Sequence, residues 1–299
     1  MNPNIKSGIM AAFVADALSL GVHWVYDISL IKERYGRLDR IVKPEIAQFH
    51  KDKHKGDFTH YGDQMFLLLE SLSNCSHFDL DDFAVRWQTM FKDYNGYLDG
   101  ATRKTIINFE SGKSPEASGS DSTDLGGASR MVPLALWYAE KLETFIEHAE
   151  RQTAMTHNHP QVIGSARFFA ITALETLGGL APVAAIEEAV KKMPPGSPVS
   201  QKVILGLKSV EKETVQAISG FGQMCETDAA LPGTIHLIAK YPKDIETALI
   251  ENIMAGGDSS ARGILCGFIL GIFNGMEAIP QGWMEDMNAF SKIKTMVGL

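Results

Sequence analysis

Apolar side chains recur every three or four residues along most of this chain, the spacing that gathers them on one face of an α-helix. Ile5, Ile9, Phe13, Ala17 and Leu20 form the first such series, with Gly21 placed to stop it. Asp79 precedes a second, formed by Phe83, Val85, Trp87, Met90 and Phe91, and carries the short acceptor side chain that caps a helix N-terminus. The same spacing predicts helices over about 102–109, 130–140, 161–177, 183–192, 229–240, 243–254 and 259–274. Runs of apolar/polar alternation long enough for half-buried strands are missing. The expected fold is all-α, a single domain over residues 1–299 with ten or more helices.

Two stretches interrupt the pattern. Residues 111–129 (SGKSPEASGSDSTDLGGAS) read as a loop too polar and too rich in Gly and Ser to pack, of a length that often carries function. Residues 193–198 (MPPGSP) read as a rigid break with helical character on both sides. Within the last long helix Gly263, Gly267, Gly271 and Gly275 sit four apart, on one side. Each interior glycine costs about 1 kcal/mol against alanine. Close packing of a second helix against that side offsets the cost; a ligand lying on the glycine face is the other reading.

The 299 residues are 45% hydrophobic and 21% charged, ordinary for a globular protein. The net charge of -8 comes without a basic stripe, so nucleic acid is not an expected partner. Cys75, Cys225 and Cys266 form no CxxC pair, which argues against a zinc ribbon or a disulfide framework and fits a reducing compartment. Asp16 interrupts the early apolar run at 8–15, against a signal peptide. The longest apolar uncharged run, 263–276, falls short of the roughly 20 residues a bilayer span needs. No membrane partner and a cytoplasmic location are expected.

Four groups carry candidate chemistry. Ala255-Gly256-Gly257-Asp258-Ser259-Ser260 opens the glycine helix, and Asp258 there is either an N-cap or a site carboxylate. Thr59-His60-Tyr61-Gly62-Asp63-Gln64 precedes the helical MFLLLESL; Asp63 has the same two readings, and the aromatic pair beside it suits ligand stacking. Asp16 lies on the first helix, with His23, Trp24, Tyr26 and Asp27 grouped just after it. Thr156-His157-Asn158-His159-Pro160 is a turn whose histidines read as surface polar residues, with metal binding the alternative. Cys225 is a nucleophile only if a base lies beside it.

These segments resemble, in order and over nearly the whole chain, those of the ADP-ribosylglycohydrolases, a family that includes the dinitrogenase-reductase-activating glycohydrolases and the J-type crystallins of jellyfish. Met10 to Gly21, with Ala15-Asp16-Ala17-Leu18 at its centre, is similar to the family's opening helix, and Gly56 to Leu69 to its Thr-Asp-Asp-Thr segment. Gly126-Gly127-Ala128-Ser129-Arg130-Met131-Val132-Pro133-Leu134 resembles its Gly-Asn-Gly-Ala…Arg…Pro-Leu motif. Thr156-His157 resembles its Thr-His turn, and Ala255 to Gly275 its terminal Gly-Gly-Asp-Thr-Asp-Thr helix. The resemblance implies an all-α orthogonal helical bundle. It also implies removal of ADP-ribose from modified proteins or related small molecules, with two divalent metals in a cleft.

Carried over residue by residue, that metal site loses most of its oxygens. The second aspartate of the terminal motif falls on Ser260 and its last threonine on Ala261, leaving Asp258. The paired aspartates fall on Tyr61 and Gly62 counted back from Gln64, or on His60 and Tyr61 counted forward from Thr59. The glutamate expected seven residues after Asp16 is His23. The usual binuclear Mg²⁺ site is therefore not expected. A divalent metal, Mg²⁺ or a transition metal, would have Asp258 and Asp63 as candidate ligands, imidazole with carboxylate suiting the transition metals better. The candidate catalytic residues are His60, Asp63, Asp258 and His23, and the candidate substrate-binding residues Tyr61, Gly126, Gly127, Ser129 and Trp24. These segments are expected to line one cleft, rimmed by Gly126-Gly127, that acts on a small-molecule or ADP-ribosylated substrate. The alternative is a family member without catalysis that serves as a ligand-binding or structural, crystallin-like protein.

Overall fold

The structure is a computed structural model that describes residues 2–299. In chain order its helices are α1 (Pro3–Leu20), α2 (Ile28–Tyr35), α3 (His60–Cys75), α4 (Leu80–Lys92), α5 (Gly100–Glu110), α6 (Gly126–Ser129), α7 (Ala135–Tyr138) and α8 (Leu142–Ala154). There follow α9 (Pro160–Leu177), α10 (Pro182–Lys192), α11 (Pro198–Leu207), α12 (Thr214–Phe221), α13 (Thr227–Lys240), α14 (Ile245–Met254), α15 (Ser259–Asn274), α16 (Gln281–Glu285) and α17 (Phe290–Val297). Among the described residues extended pairing is limited to three isolated bridges, so the all-α expectation holds.

α1 and α15 form the centre. Every residue of α1 from Ser7 to Leu20 is buried, and every residue of α15 from Ser259 to Ile272. A helix hydrophobic on all sides belongs inside a shell of other helices. Here α9, α13 and α14 pack on α15, while α8, α10, α11 and α12 pack outside them. The Pro-rich break at 193–198 ends at Pro198, the first residue of α11, which packs on α9 and α13, so helices from both sides of the break share one core.

The glycine spacing sets how α1 and α15 meet. A Cβ on Gly263 would lie 3.3 Å from Ser19 Oγ, on Gly267 2.7 Å from the Ala11 carbonyl oxygen, and on Gly271 2.7 Å from that of Ser7. The partners run backward along α1, so the two helices are antiparallel and in backbone contact. Gly8 answers from the other side, where a Cβ would lie 2.8 Å from the Phe268 carbonyl oxygen. Gly275 does not belong to this face: it is the C-cap residue at φ +80°, with open space where a Cβ would be. Its glycine serves the backbone turn instead.

Three expectations are corrected. The helix predicted over 130–140 is broken into α6, a 3₁₀ turn at Val132–Leu134 and α7, because Pro133 has no N–H to donate and disfavours helix at the residue before it. α3 starts at His60, capped by Thr59, so His60, Tyr61 and Asp63 lie in its first turn and Asp63 is no cap. The second half of the 111–129 loop packs after all: Ser118, Ser120 and every residue from Asp124 to Ser129 are buried. Its polar side chains bond to backbone, Ser118 Oγ donating to the Met155 carbonyl at 2.7 Å and Ser120 Oγ to that of Thr156 at 2.8 Å. A polar sequence packs when its own hydroxyls satisfy the neighbouring chain.

Gly267→Leu is expected to abolish folding or lower stability by more than ~3 kcal/mol, since overpacked backbone contacts have nowhere to relax. Gly282→Ala, where an added Cβ meets nothing, should leave the denaturant midpoint within about 0.5 kcal/mol of wild type. Equal midpoints for the two variants would contradict the backbone contact.

Candidate functional site

Asp16 joins three segments far apart in sequence. It sits fully buried on α1, and accepts from the Thr59 amide (2.8 Å), the Thr59 hydroxyl (2.6 Å) and the Ser260 hydroxyl (2.5 Å). Burial lifts its carboxyl to about 6, against the pull of those hydrogen bonds. Thr59 begins α3 and Ser260 lies in the first turn of α15, so this one side chain sets the N-termini of both helices beside each other. Gly62 is glycine because the Asp16 carboxyl group occupies the space a Cβ would need.

One turn further out, Tyr61 links two buried carboxyl groups. Its hydroxyl lies 2.5 Å from Asp124 Oδ2 and 3.2 Å from Asp258 Oδ2. Asp258 is both cap and site residue: Oδ1 accepts from the Ala261 amide at 3.1 Å, at the positive end of α15. Burial raises it, and the Arg262 charge opposes the rise. Asp124 is raised well above the carboxylate range by burial and by the charges of Asp258 and Asp99; its Oδ1 accepts from the Gly126 amide at 2.7 Å. Burial and both carboxyls likewise hold the Tyr61 hydroxyl protonated. Cys225 lies against the same two aspartates, and burial together with their charges pushes its thiol far up, so it is no thiolate nucleophile.

The turn that presents Asp258 depends on two glycines at φ +69° and +67°. A Cβ on Gly256 would lie 2.7 Å from the Val25 carbonyl oxygen, and one on Gly257 would run into Gln223. Trp24 donates its amide to the Gly257 carbonyl at 2.9 Å and is itself at φ +61°, a strained conformation for a bulky residue. The strain turns its indole over His23, His50 and His60, with ring centroids 4.6, 5.9 and 5.1 Å away. All three histidines are buried, their mutual centroid separations 5.2, 5.7 and 6.0 Å. His23 Nδ1 is 3.8 Å from Asp258 Oδ1, and His60 Nε2 is 3.2 Å from Asp99 Oδ2, out of line for a hydrogen bond.

Beside these groups opens a cleft of about 570 Å³, a volume suited to a small ligand. Trp24, Phe49 and Tyr97 meet edge to face along one wall at 5.0–5.3 Å. Lys104 and the 120–124 segment form the other, and Asp124, Asp99 and Cys225 face it. The structure thus gathers His23, Trp24, His60, Tyr61 and Asp258 from three separate segments, but of these only Trp24 borders the cleft; the other four are buried behind its wall. Asp63 stands apart, its carboxylate taken by Lys53 and Tyr94 and outside the residues bordering the cleft. Gly126 and Gly127 do not form the rim: they lie buried beneath the rings of Tyr61 and His157, and Ser129 Oγ turns inward to the Gly126 carbonyl at 2.9 Å. The rim is the 120–124 segment just before them. Asp124, Asp99 and His50 escaped the sequence reading, as did the cleft-lining Phe49, Tyr97 and Lys104. Asp124 had a signal, an acidic residue two positions before Gly126-Gly127; His50 lies in a polar 3₁₀ turn with no periodicity to mark it.

His157, expected at the surface, is buried in a second polar layer under the cleft. Arg130, also buried, donates to Gln64, to Thr156 and to His157 Nδ1, the last at 3.1 Å, and Trp87 Nε1 donates to Gln64 at 2.7 Å. His159 is the half-buried N-cap of α9.

A sequence model of the family described as ADP-ribosylglycohydrolase matches residues 3–298. An uncharacterized protein of Archaeoglobus fulgidus is 26% identical over 289 residues, 96% of this chain and 92% of that protein. Crystallin J1A of Tripedalia cystophora is 23% identical over 302 residues, 94% of this chain and 90% of its own. Among solved structures, an ADP-ribosylglycohydrolase-related protein complex superposes with a TM-score of 0.72 over 99% of this chain and 95% of that chain at 19% identity, which shows the shared fold.

Because Arg130 always donates, His157 Nδ1 holds a lone pair and the ring is neutral; burial and the Arg130 charge lower it to about 3. Below pH 6.5 the unfolded chain therefore takes a proton here that the folded chain refuses. The stability present above that pH is lost as pH falls toward 3, by about 1.4 kcal/mol per unit. Replacing His157 with Asn keeps an acceptor and removes the titration. Between pH 7 and 5, His157→Asn should lose about 2 kcal/mol less stability than wild type in denaturant titrations; parallel acid limbs would refute the assignment.

Proposed function

The chain belongs to the ADP-ribosylglycohydrolase family, and on that premise we propose that it hydrolyses the glycosidic bond at C1 of an ADP-ribosyl group or a related ribosyl substrate. The carrying observation is the Asp124–Tyr61–Asp258 chain of short contacts, which reaches the cleft at Asp124. The two carboxyls differ in environment, and that difference divides their roles. Asp258 has a helix N-terminus and Arg262 to favour its charged form. Asp124 forms no ion pair, is raised by the charges of Asp258 and Asp99, and faces the cleft, so it keeps its proton while Tyr61 donates to its Oδ2.

In the reaction Asp124 gives its proton to the leaving nitrogen or oxygen as the C1 bond breaks and an oxocarbenium-like centre develops. Tyr61 then donates to the new Asp124 carboxylate. A water adding to C1 returns its proton to Asp124, which closes the cycle with ribosyl hydroxyl and free leaving group as products. The Trp24–Phe49–Tyr97 wall offers faces for a base to stack on, and Lys104 a charge for a phosphate.

The family's two-metal oxygen cage does not fit these residues. The Asp16 carboxyl fills the space over Gly62 and is committed to Thr59 and Ser260, and Tyr61, Ser260 and Ala261 stand at the other positions. That departure, with the similarity to the Tripedalia crystallin, favours a second reading: a ligand-binding or structural protein without turnover.

Incubation with mono-ADP-ribosylated protein and with ADP-ribosyl-arginine, read by release of ADP-ribose, separates the two. Wild type should turn over at least one of them, and Asp124→Asn should lower kcat by ~10²–10⁴ with a melting temperature within a few degrees. Binding of ADP-ribose without hydrolysis in wild type would establish the second reading instead.

A further inference from the structure

We infer that His23, His50 and His60 form a binding site for one transition-metal ion of the Zn²⁺ class. The observation is a set of buried ring nitrogens without a well-formed hydrogen bond. None of the six ring nitrogens of the three histidines meets hydrogen-bond geometry, and carboxylate oxygens stand beside only two of them, Asp99 Oδ2 at 3.2 Å from His60 Nε2 and Asp258 Oδ1 at 3.8 Å from His23 Nδ1. The rings are 0%, 1% and 1% exposed, so water is scarcely available to them. Each buried polar atom left unpaired costs about 1–3 kcal/mol. Three isolated imidazoles facing one another are thus a poor way to fill a core that Leu or Phe would fill better. A bound cation satisfies one nitrogen of each ring at once.

The geometry suits it. One nitrogen from each ring lies within 4.8 Å of the others. Tetrahedral Zn²⁺ with N ligands at about 2.0–2.1 Å places its donor atoms ~3.3 Å apart, so modest inward rotation of the rings closes the set. Carboxylate oxygens stand near two of the three rings, at 3.2 and 3.8 Å. Asp99 faces Nε2 of His60 and Asp258 lies near Nδ1 of His23, which leaves the opposite nitrogen of each ring for the ion. Such carboxylate–histidine–metal pairs fix tautomer and ring orientation. Burial, together with mutual repulsion, lowers His50 to about 2 and holds His23 well below its ordinary range. Three nitrogens with no oxygen among them select a borderline ion over Mg²⁺ or Ca²⁺.

The neighbouring Asp124–Cys225–Asp258 group is the competing location. Its carboxyls already hold Tyr61 and the Gly126 and Ala261 amides, and its thiol is firmly protonated. It lacks the unpaired donors that distinguish the histidines. The site goes beyond the hydrolase reading and stands whether or not the protein turns over substrate.

The test uses the full-length chain without a polyhistidine tag, stripped with chelator and titrated with Zn²⁺ by calorimetry and with Co²⁺ by absorption. Wild type should bind one Zn²⁺ per chain, and Co²⁺ should give d–d bands with no thiolate-to-cobalt charge transfer. His50→Ala should weaken Zn²⁺ binding by ~100-fold or more, while Cys225→Ser and the exposed His54→Ala bind as wild type does. Asp124→Asn should retain Zn²⁺ binding even as hydrolysis falls, which separates this inference from the acid–base proposal. Absence of stoichiometric Zn²⁺ binding in folded wild type overturns the inference. So does loss on Cys225→Ser with retention in His50→Ala, or a charge-transfer band. If His50→Ala fails to fold, the wild-type Co²⁺ spectrum decides the matter alone.

Discussion

The carbonyl oxygens of Ser7 and Ala11 lie where a Cβ on Gly271 or Gly267 would have to sit, so α15 rests on α1 through backbone rather than side chains. That approach brings Asp16, near the end of α1, within hydrogen-bond reach of Ser260 in the first turn of α15. Asp16 then fixes Thr59, Thr59 fixes the start of α3, and the start of α3 sets His60 and Tyr61 in place. The same antiparallel register carries the chain leaving α1 past Gly257, where Trp24 and Val25 pair with the turn that presents Asp258. Wider spacing of the two central helices would separate every one of these groups. The cleft is a consequence of helix packing before it is a matter of chemistry.

Burial then differentiates groups that are chemically alike. Asp16, Asp63, Asp124 and Asp258 are all carboxylates, but their surroundings assign them different work. Asp16 is saturated by three donors and holds structure together. Asp63 is neutralised by Lys53 and Tyr94 away from the cleft. Asp258 leans on a helix N-terminus, and Asp124 is left with a raised proton affinity at the cleft wall. Histidine divides in the same way. His157 is spoken for by Arg130, and His236 by Ser209 and Thr214, whereas His23, His50 and His60 have no hydrogen-bond partner. Because satisfied polar groups are the rule inside proteins, the unsatisfied set stands out against its own neighbours.

Helix periodicity made most of the architecture legible, since the 3.6-residue repeat is written locally and needs no tertiary information. Periodicity failed where tertiary contacts override local character. The 118–129 segment looks too polar to pack, but its hydroxyls bond to the backbone of 155–156, which no local pattern reveals. Gly126 and Gly127 were recognisable as special, yet their reason is steric room for Tyr61 and His157 and not a rim of amides. Convergence of His23, His60, Tyr61 and Asp258 was readable only through the ordered motifs, because distance along the chain hides proximity. Asp99 and His50 were beyond reach: one is an ordinary helix cap by type, the other sits in a polar turn.

The departures from the family's metal motif are physically linked to one another. Where a carboxylate is expected, position 62 carries no side chain, and the vacated space is taken by the Asp16 carboxyl, which then needs hydroxyl donors such as Thr59 and Ser260 instead of a cation. Ser260 is itself one of the replaced carboxylate positions, so the change on α3 and the change on α15 answer each other across Asp16. His23 stands in place of the expected glutamate, and His60, in the frame counted from Thr59, in place of the first aspartate. In that alignment with the family motif, imidazole nitrogens stand where carboxylate oxygens are expected. On the reading proposed above, a pocket with these donors suits a single softer ion better than a hard, doubly charged pair. Residues replaced without constraint would have no reason to leave three imidazoles facing one another under a strained tryptophan, with carboxylates beside two of them.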